Sequence, residues 1–206
     1  MKLHTTIALA VVAFAAFTHQ TVEAAAEPPS PATGHAQVIA QGLVTFGDGP
    51  LRWQLQQSPA STTPVLIDTS AATFIVSDGP GAVVVSGDAG PLARLAAGEA
   101  VFRQAGTTTQ LRSVSADGGG VAALSLVAGE GDGENAFTPG PGTRDVDLVR
   151  DALSTNEALL VHSDVSLFIV VSAGTVNVDG APVAEGAVVS RAGDVTIINT
   201  SAETAA

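Results

Sequence analysis

From Val38 onward the hydrophobic positions fall in short runs of Val, Leu, Ile, Phe and Thr, four to seven residues long and divided by Gly, Asp and Pro. Runs this short, bounded by turn residues, predict strands, because an amphipathic helix needs an apolar stripe that recurs every three or four positions over a longer window. The predicted strands are 51–56, 64–68, 73–77, 82–86, 100–104, 107–114 and 121–127. One segment, 145–153, shows helical recurrence, with Val146, Val149 and Leu153 at i, i+3 and i+7. Its Asp-Val-Asp-Leu alternation equally suits a strand.

The pattern then repeats. VLIDTSAATFIV (65–76) aligns without a gap on LLVHSDVSLFIV (159–170) at an offset of 94. VVVSG (83–87) matches VNVDG (176–180), GEAV (98–101) matches GAVV (186–189), and GTTTQLRS (106–113) matches GDVTIINT (193–200). Val-rich strands resemble one another by chance, but four matches in preserved order indicate a duplication. The repeat makes 145–153 the counterpart of 51–56 and so favours a strand there. Between the copies lies AGEGDGENAFTPGPGT (128–143), whose Gly and acidic residues mark a linker or long surface loop. The expected organisation is a leader (1–24), a flexible Ala/Pro/Ser-rich lead-in (25–37), a first lobe (38–127), the linker (128–143) and a second lobe (144–206). The first copy continues into strand 121–127, whereas the second has no such run. Closing the second lobe therefore calls for a strand borrowed from elsewhere, for which 38–44 is the candidate. Otherwise a free sheet edge is left for a protein partner or self-association.

Residues 1–26 have a basic start, an apolar stretch (7–17) and small residues from Ala24 to Ala26, the layout of a secretory signal helix cleaved after Ala24 or Ala26. Its 11 apolar residues fall short of the roughly 20 that span a bilayer, and every later apolar run is shorter. The expectation is an exported, extracytoplasmic protein with no membrane span after cleavage. The chain has no cysteine, so no lipid is attached at a processed cysteine and no disulfide assists a core that must hold by burial alone. Lys2 and Glu23 leave with the leader, which sets seven arginines against 19 acidic residues spread along the mature chain. That balance keeps the protein soluble and disfavours nucleic acid or anionic lipid as a partner.

The second copy contains FIVVSAGTVNVDG (168–180) and GAVVSRAGDVTIIN (186–199), with Gly174, Gly180, Gly186 and Gly193 at the turns and strand openings. In these residues it resembles a cupin domain, and the first copy fits the same pattern more loosely. The resemblance implies an all-β chain of two tandem cupin-like β-barrel or jelly-roll lobes. Cupins of the usual type hold a divalent metal with two histidines, a glutamate and a third histidine. With Gly174 fixing the register, those positions carry over to Leu160, His162, Leu167 and Thr196 in the second copy. In the first they carry over to Leu66, Asp68, Thr73 and Thr109. A first-row metal needs three or four converging nitrogen, sulfur or carboxylate donors, and these sets offer at most one each. No metal and no cofactor are therefore expected.

The residue inventory points the same way without the family. After the leader only His35 and His162 remain, and there is no cysteine, tyrosine or lysine. Thiolate, Schiff-base and His-cluster metal chemistry are closed to the chain, as is a His-Tyr pair of the kind used by metal-independent sugar epimerases. His162 sits two residues before Asp164, on one strand face, where a carboxylate-held imidazole makes a base; an exposed strand-end histidine is the plainer reading. Asp145, Asp147, Asp151 and Glu157 form an acidic cluster. Glu130, Asp132, Glu134 and Asn135 alternate with Gly in the manner of a calcium loop but lack its remaining spacing. No G-x-S-x-G occurs, and the Gly-rich segments 47–50, 78–81 and 117–120 open no helix. Trp53 and the phenylalanines read as core, with Phe74 and Phe168 at equivalent places. Asp68, Thr73, Arg103, Thr109, His162, Arg191 and Thr196 remain as candidate ligand-pocket residues for a small molecule or sugar, and none as a catalytic residue. The expectation is a secreted non-catalytic protein with a binding or structural role. Its rivals are a metal-independent lyase or isomerase, with Asp68 or Asp164 as base and Arg103 or Arg191 as anion clamp, and a subunit of an extracellular assembly.

Overall fold

The computed structural model describes residues 9–13, 36–114, 119–129, 136–162 and 166–202, and none of these is helical. In chain order the strands are β1 (Leu9–Ala13), β2 (Gln37–Phe46), β3 (Leu51–Ala60), β4 (Val65–Ile67), β5 (Ala72–Ser77), β6 (Val83–Gly87), β7 (Gly90–Leu95), β8 (Ala100–Arg103) and β9 (Thr109–Ser113). They continue as β10 (Gly119–Ala128), β11 (Ala136–Phe137), β12 (Gly142–Asp151), β13 (Ala158–Val161), β14 (Ser166–Val170), β15 (Thr175–Val178), β16 (Ala181–Ala184), β17 (Val188–Ala192) and β18 (Val195–Asn199). The chain divides into a central unit, Val38–Val149, and a terminal unit made of Met1–Gln37 and Arg150–Ala206.

The central unit contains one sheet in the order β11-β3-β10-β5-β8 and another in the order β4-β9-β6-β7. Side chains alternate across a strand, so Thr73, Ile75 and Ser77 point to one face of β5 while Ala72, Phe74 and Val76 point to the other. Ile75 joins Val83, Val85, Leu95, Leu111 and Val121 in a buried cluster drawn from both sheets. On the opposite face Phe74 lies between Trp53, with ring centroids 6.2 Å apart, and Phe102, at 5.1 Å. With both faces covered, β5 reads ATFIVS, nearly all apolar or small, as a doubly buried strand should. Bonds from Gln41 Nε2 to Asp147 Oδ1 (3.1 Å) and between the hydroxyls of Thr45 and Thr143 (2.9 Å) link β2 to β12. Arg144 lies over the Phe46 ring, 5.7 Å from its centroid.

The terminal unit has the sheet β13-β18-β15-β16, and its β14 is flanked by β17 and β1. The order β13-β18-β15-β16 is that of β4-β9-β6-β7 in the central unit. The sequence matches therefore correspond to strands at the same places in the two units.

Several elements differ from the sequence expectations. The leader was expected as a helix, but its described part, Leu9–Ala13, is a strand. The remainder of the leader and residues 25–35 of the lead-in lie outside the described residues. The strand directly beside β14 is β1, and the 38–44 segment expected to be borrowed belongs to β2. The expected linker is entered by β10 as far as Ala128 and contains β11, whose Ala136 and Phe137 pair with Arg52 and Leu51 of β3. Of residues 145–153, those up to Asp151 are strand, as the repeat indicated, with β12 reaching back to Gly142. Two further strands went unpredicted, β7 and β16; each stands last in its sheet and holds a proline, Pro91 or Pro182. Proline removes a ladder donor and so is confined to such edges.

Gly42 marks a close approach of β2 to β8, since a Cβ there would come within 2.4 Å of the Phe102 ring. Gly42→Val should cost about 1–3 kcal/mol by overpacking, measured by urea unfolding. Gly47→Ala, which has nothing within 4 Å of the added carbon, should leave the midpoint nearly unchanged.

Candidate functional site

The polar interior of the central unit lies where β4, β5, β8 and β9 converge. Pairing of Ile67 with Thr109 and of Val65 with Leu111 sets the inward face of β4, since residues directly opposite share a face. Thr69, Thr73 and Thr109 are buried there. The Thr69 hydroxyl donates to the Thr107 carbonyl, which leaves its oxygen to accept from Thr109 Oγ1 at 3.3 Å. Thr109 Oγ1 in turn accepts from Arg103 Nε at 3.0 Å, and the Arg103 fork donates a second bond to the Thr108 carbonyl at 3.2 Å. Across the sheet Thr73 faces Arg103. Its hydroxyl donates to the Ala71 carbonyl and accepts from Ser125, both at 2.9 Å. Each hydroxyl has one proton and uses it within the network.

Of the seven candidate pocket residues, Thr73, Arg103 and Thr109 meet here. Asp68 does not. It follows Ile67 on the outward parity, is exposed, and accepts a bond from the Ser70 amide at 2.8 Å. That amide, and then the Ser70 side chain, hold its carboxyl below the ordinary value of 3.8. Leu66 also points outward, 67% exposed. The Gly174-based register is thus one residue out on this strand, and the inward positions are Ile67 and Thr69. Thr69 was missed for that reason, although its parity with Thr73 and Thr109 was available once the strand boundary was known.

The same slip applies in the terminal unit. Leu159 is buried against the pairing partner Ile197, while Leu160 is 44% exposed opposite Thr196. Val161 pairs with Val195, so Val195 stands where Thr109 stands, and Thr196 corresponds to Gln110. Thr196 is therefore not an inward counterpart of Thr109. Its amide donates to Asp179 Oδ1 at 2.9 Å. Six positions separate Arg103 from Thr109 but four separate Arg191 from Val195, and a sequence match that assumed a near-equal turn set the strand one residue off. Arg191 does occupy the place of Arg103, since Leu167 pairs with Arg191 as Thr73 pairs with Arg103. It lies 3.8 Å from Asp179 and donates to the Ser190 carbonyl. His162 contacts Asp194, Nδ1 to Oδ2 3.1 Å, with both side chains about two-thirds exposed (69% and 65%). Asp164, its expected partner, lies outside the described residues.

The remaining candidates separate. Asp147 accepts from Gln41, Asp151 is buried and accepts from the Ala152 amide, and Glu157 accepts from the Ser154 amide. Residues 130–135 and His35 lie outside the described residues. Among the described residues no three His, Cys, Asp or Glu side chains are grouped to hold a metal ion. A cleft of about 180 Å³ in the central unit is lined by Gln56, Ser58, Val65, Leu66, Ile67 and Leu111 among others, and Asp68 is its one ionisable residue.

No protein-family model matches the chain, and no curated protein matches it. Among solved structures it is similar to a cupin 2 conserved barrel domain protein from Leptotrichia buccalis, at 11% identity and a TM-score of 0.42, over 80% of this chain and 85% of that one. A conserved protein of unknown function from Pseudomonas aeruginosa PAO1 superposes at 12% identity and a TM-score of 0.39, over 96% and 89% of the two chains. A protein of unknown function of the DUF861 family from Pseudomonas syringae pv. tomato str. DC3000 does so at 11% and 0.30, over 80% and 78%.

Thr109→Val should cost about 1–3 kcal/mol, because it strips the partly buried Arg103 Nε and the buried Thr69 of a partner at little change in shape. His162→Ala should shift stability by less than about 0.5 kcal/mol, as expected for an exposed pair; chemical denaturation measures both. A depressed folded pKa means that Asp68 adds stability above its unfolded value, lost as pH falls through the lower folded value. Carbon-detected NMR titration should accordingly place the Asp68 midpoint below 3.8.

Proposed function

We propose that this is an exported cupin-like protein, with two tandem lobes, that acts as a non-catalytic structural or binding module without a metal. The observation that supports this most directly is the interior of the central unit. Its inward positions hold Ile67 and three threonines, Thr69, Thr73 and Thr109, whose hydroxyls are spent on one another, on Ser125, on Arg103 and on backbone carbonyls. Neutral hydroxyls are poor ligands for a first-row metal. Beneath them the space is filled by Ile75, Val83, Val85, Leu111 and Val121, which favours a scaffold over an enclosed ligand chamber.

The lyase or isomerase reading is weaker on the same grounds. A general base works best with a pKa near the operating pH, yet Asp68 is held more firmly ionised than an ordinary carboxylate and faces outward. One feature favours a second reading, binding of a small organic anion. Among the described residues Arg103 has no carboxylate partner, and its side chain is only partly buried.

Metal analysis of protein purified without chelators should return substoichiometric zinc, iron, nickel and manganese, and one equivalent in either lobe would defeat the proposal. A thermal-shift screen against sugars and organic acids should give no hit that is turned over. A carboxylate ligand whose stabilisation is lost in Arg103→Ala would shift the assignment to the anion-binding reading.

A further inference from the structure

β14 has a neighbour on each side. On one, Phe168 pairs with Ser190 and Ile169 with Val189 of β17; on the other, Phe168, Ile169 and Val170 pair with Val12, Val11 and Ala10 of β1. β5 is flanked in the same way by β8 and β10, with Phe74, Ile75 and Val76 opposite Leu124, Ala123 and Ala122. The β5 and β14 residues correspond at the offset of 94. Segment 10–12 therefore stands where 122–124 stands, antiparallel to its partner, with the same polarity and in the same register. The sequences match that equivalence: LAVVA in β1 and VAALS at 121–125 are both uncharged and built of small and aliphatic residues.

This place cannot be left open cheaply. Leu167, Phe168, Ile169 and Val170 are 0–6% exposed, and a buried strand that loses a neighbour leaves a row of amides and carbonyls without partners. Yet β1 lies within the leader that the sequence marks for removal.

We propose that the place beside β14 is a strand-acceptor site. The leader fills it in the precursor, and after leader removal it takes an extended, uncharged segment of small aliphatic residues from another protein, added antiparallel to β14. This rests on the export reading above and names the partner that the assembly role would require. A second copy of the processed chain is a poor donor, because every other described strand already belongs to a sheet.

The absence of cysteine makes the site testable with one engineered thiol. The exported, processed protein carrying Ile169→Cys would be mixed with a synthetic peptide of residues 5–14 bearing Cys in place of Val11. The expected result is a mixed disulfide, and none when the peptide thiol replaces Ala10, a position in register with Val170 and not with Ile169. Because Ile169→Cys alters a fully buried position, hydrogen exchange on the unaltered processed protein provides a second measurement. Its β14 amides should exchange at least about tenfold faster than in the leader-bearing precursor, and the unmodified peptide should restore the protection. Equal protection before and after leader removal, or failure of the peptide to bind, overturns the proposal. So does a processed dimer that refuses the peptide, since the second copy would then be the occupant. N-terminal sequencing separates the two failures. An exported protein still starting at Met1 sinks the export reading and the exchange with it, whereas a start at Ala25 or Glu27 with a protected β14 sinks the acceptor site alone.

Discussion

Pairing of backbone donors and acceptors between strands is the interaction on which the rest of this structure depends. Among the described residues there is no helix to satisfy those groups locally, so each amide and carbonyl away from water needs a partner on a neighbouring strand. The demand is greatest at β5 and β14, whose side chains are buried almost throughout. Both are flanked on each side, and both are matched to their neighbours in the same register. Each of these strands belongs to its own unit, and the four-stranded sheets of the two units, β4-β9-β6-β7 and β13-β18-β15-β16, have the same strand order.

The frame also decides where polar side chains can go. An inward position at the level of Thr73 and Thr109 is fully enclosed, so whatever stands there must find its hydrogen bonds within the fold. Threonine is well suited: its methyl packs on the apolar layer below, and its hydroxyl gives one proton and accepts others. Arg103 brings its charge to this level and is held by Thr109 and the Thr108 carbonyl. In the terminal unit the corresponding positions are Leu167 and Val195, and Arg191 is drawn instead toward Asp179. The same strand order therefore accommodates a hydroxyl network in one unit and aliphatic packing in the other, and among the described residues no three His, Cys, Asp or Glu side chains are grouped to hold a metal ion.

Much of this was legible in the sequence, and the misses have specific causes. Alternation and turn residues gave the strands that lie within sheets, and the offset of 94 paired Phe74 with Phe168 and Ile75 with Ile169 correctly. The edge strands β7 and β16 were hidden by Pro91 and Pro182, which read as breakers because the sequence does not say which strand lies at an edge. Inside and outside were harder to assign. With a two-residue period, a one-residue error moves a side chain to the opposite face, and this sent Asp68 to the interior when it belongs outside, whereas His162 is exposed as its plainer reading had it. The Arg103 counterpart was found because it lies before the turn of unequal length; the Thr109 counterpart was missed because it lies after it.

The terminal segment shows a different limit of sequence reading. An apolar stretch of 11 residues with a basic start carries the marks of an export leader, and those marks say nothing about pairing. The same residues also satisfy what β14 requires, five consecutive positions free of charge and proline. The two properties are compatible because translocation and strand addition both select for uncharged aliphatic chain, the first through hydrophobicity and the second through fit to a buried sheet. With no disulfide in the chain, the buried backbone of β14 is held by its pairing with β17 on one side and with residues 10–12 on the other, so those uncharged residues contribute to the sheet whatever else their composition suits them for.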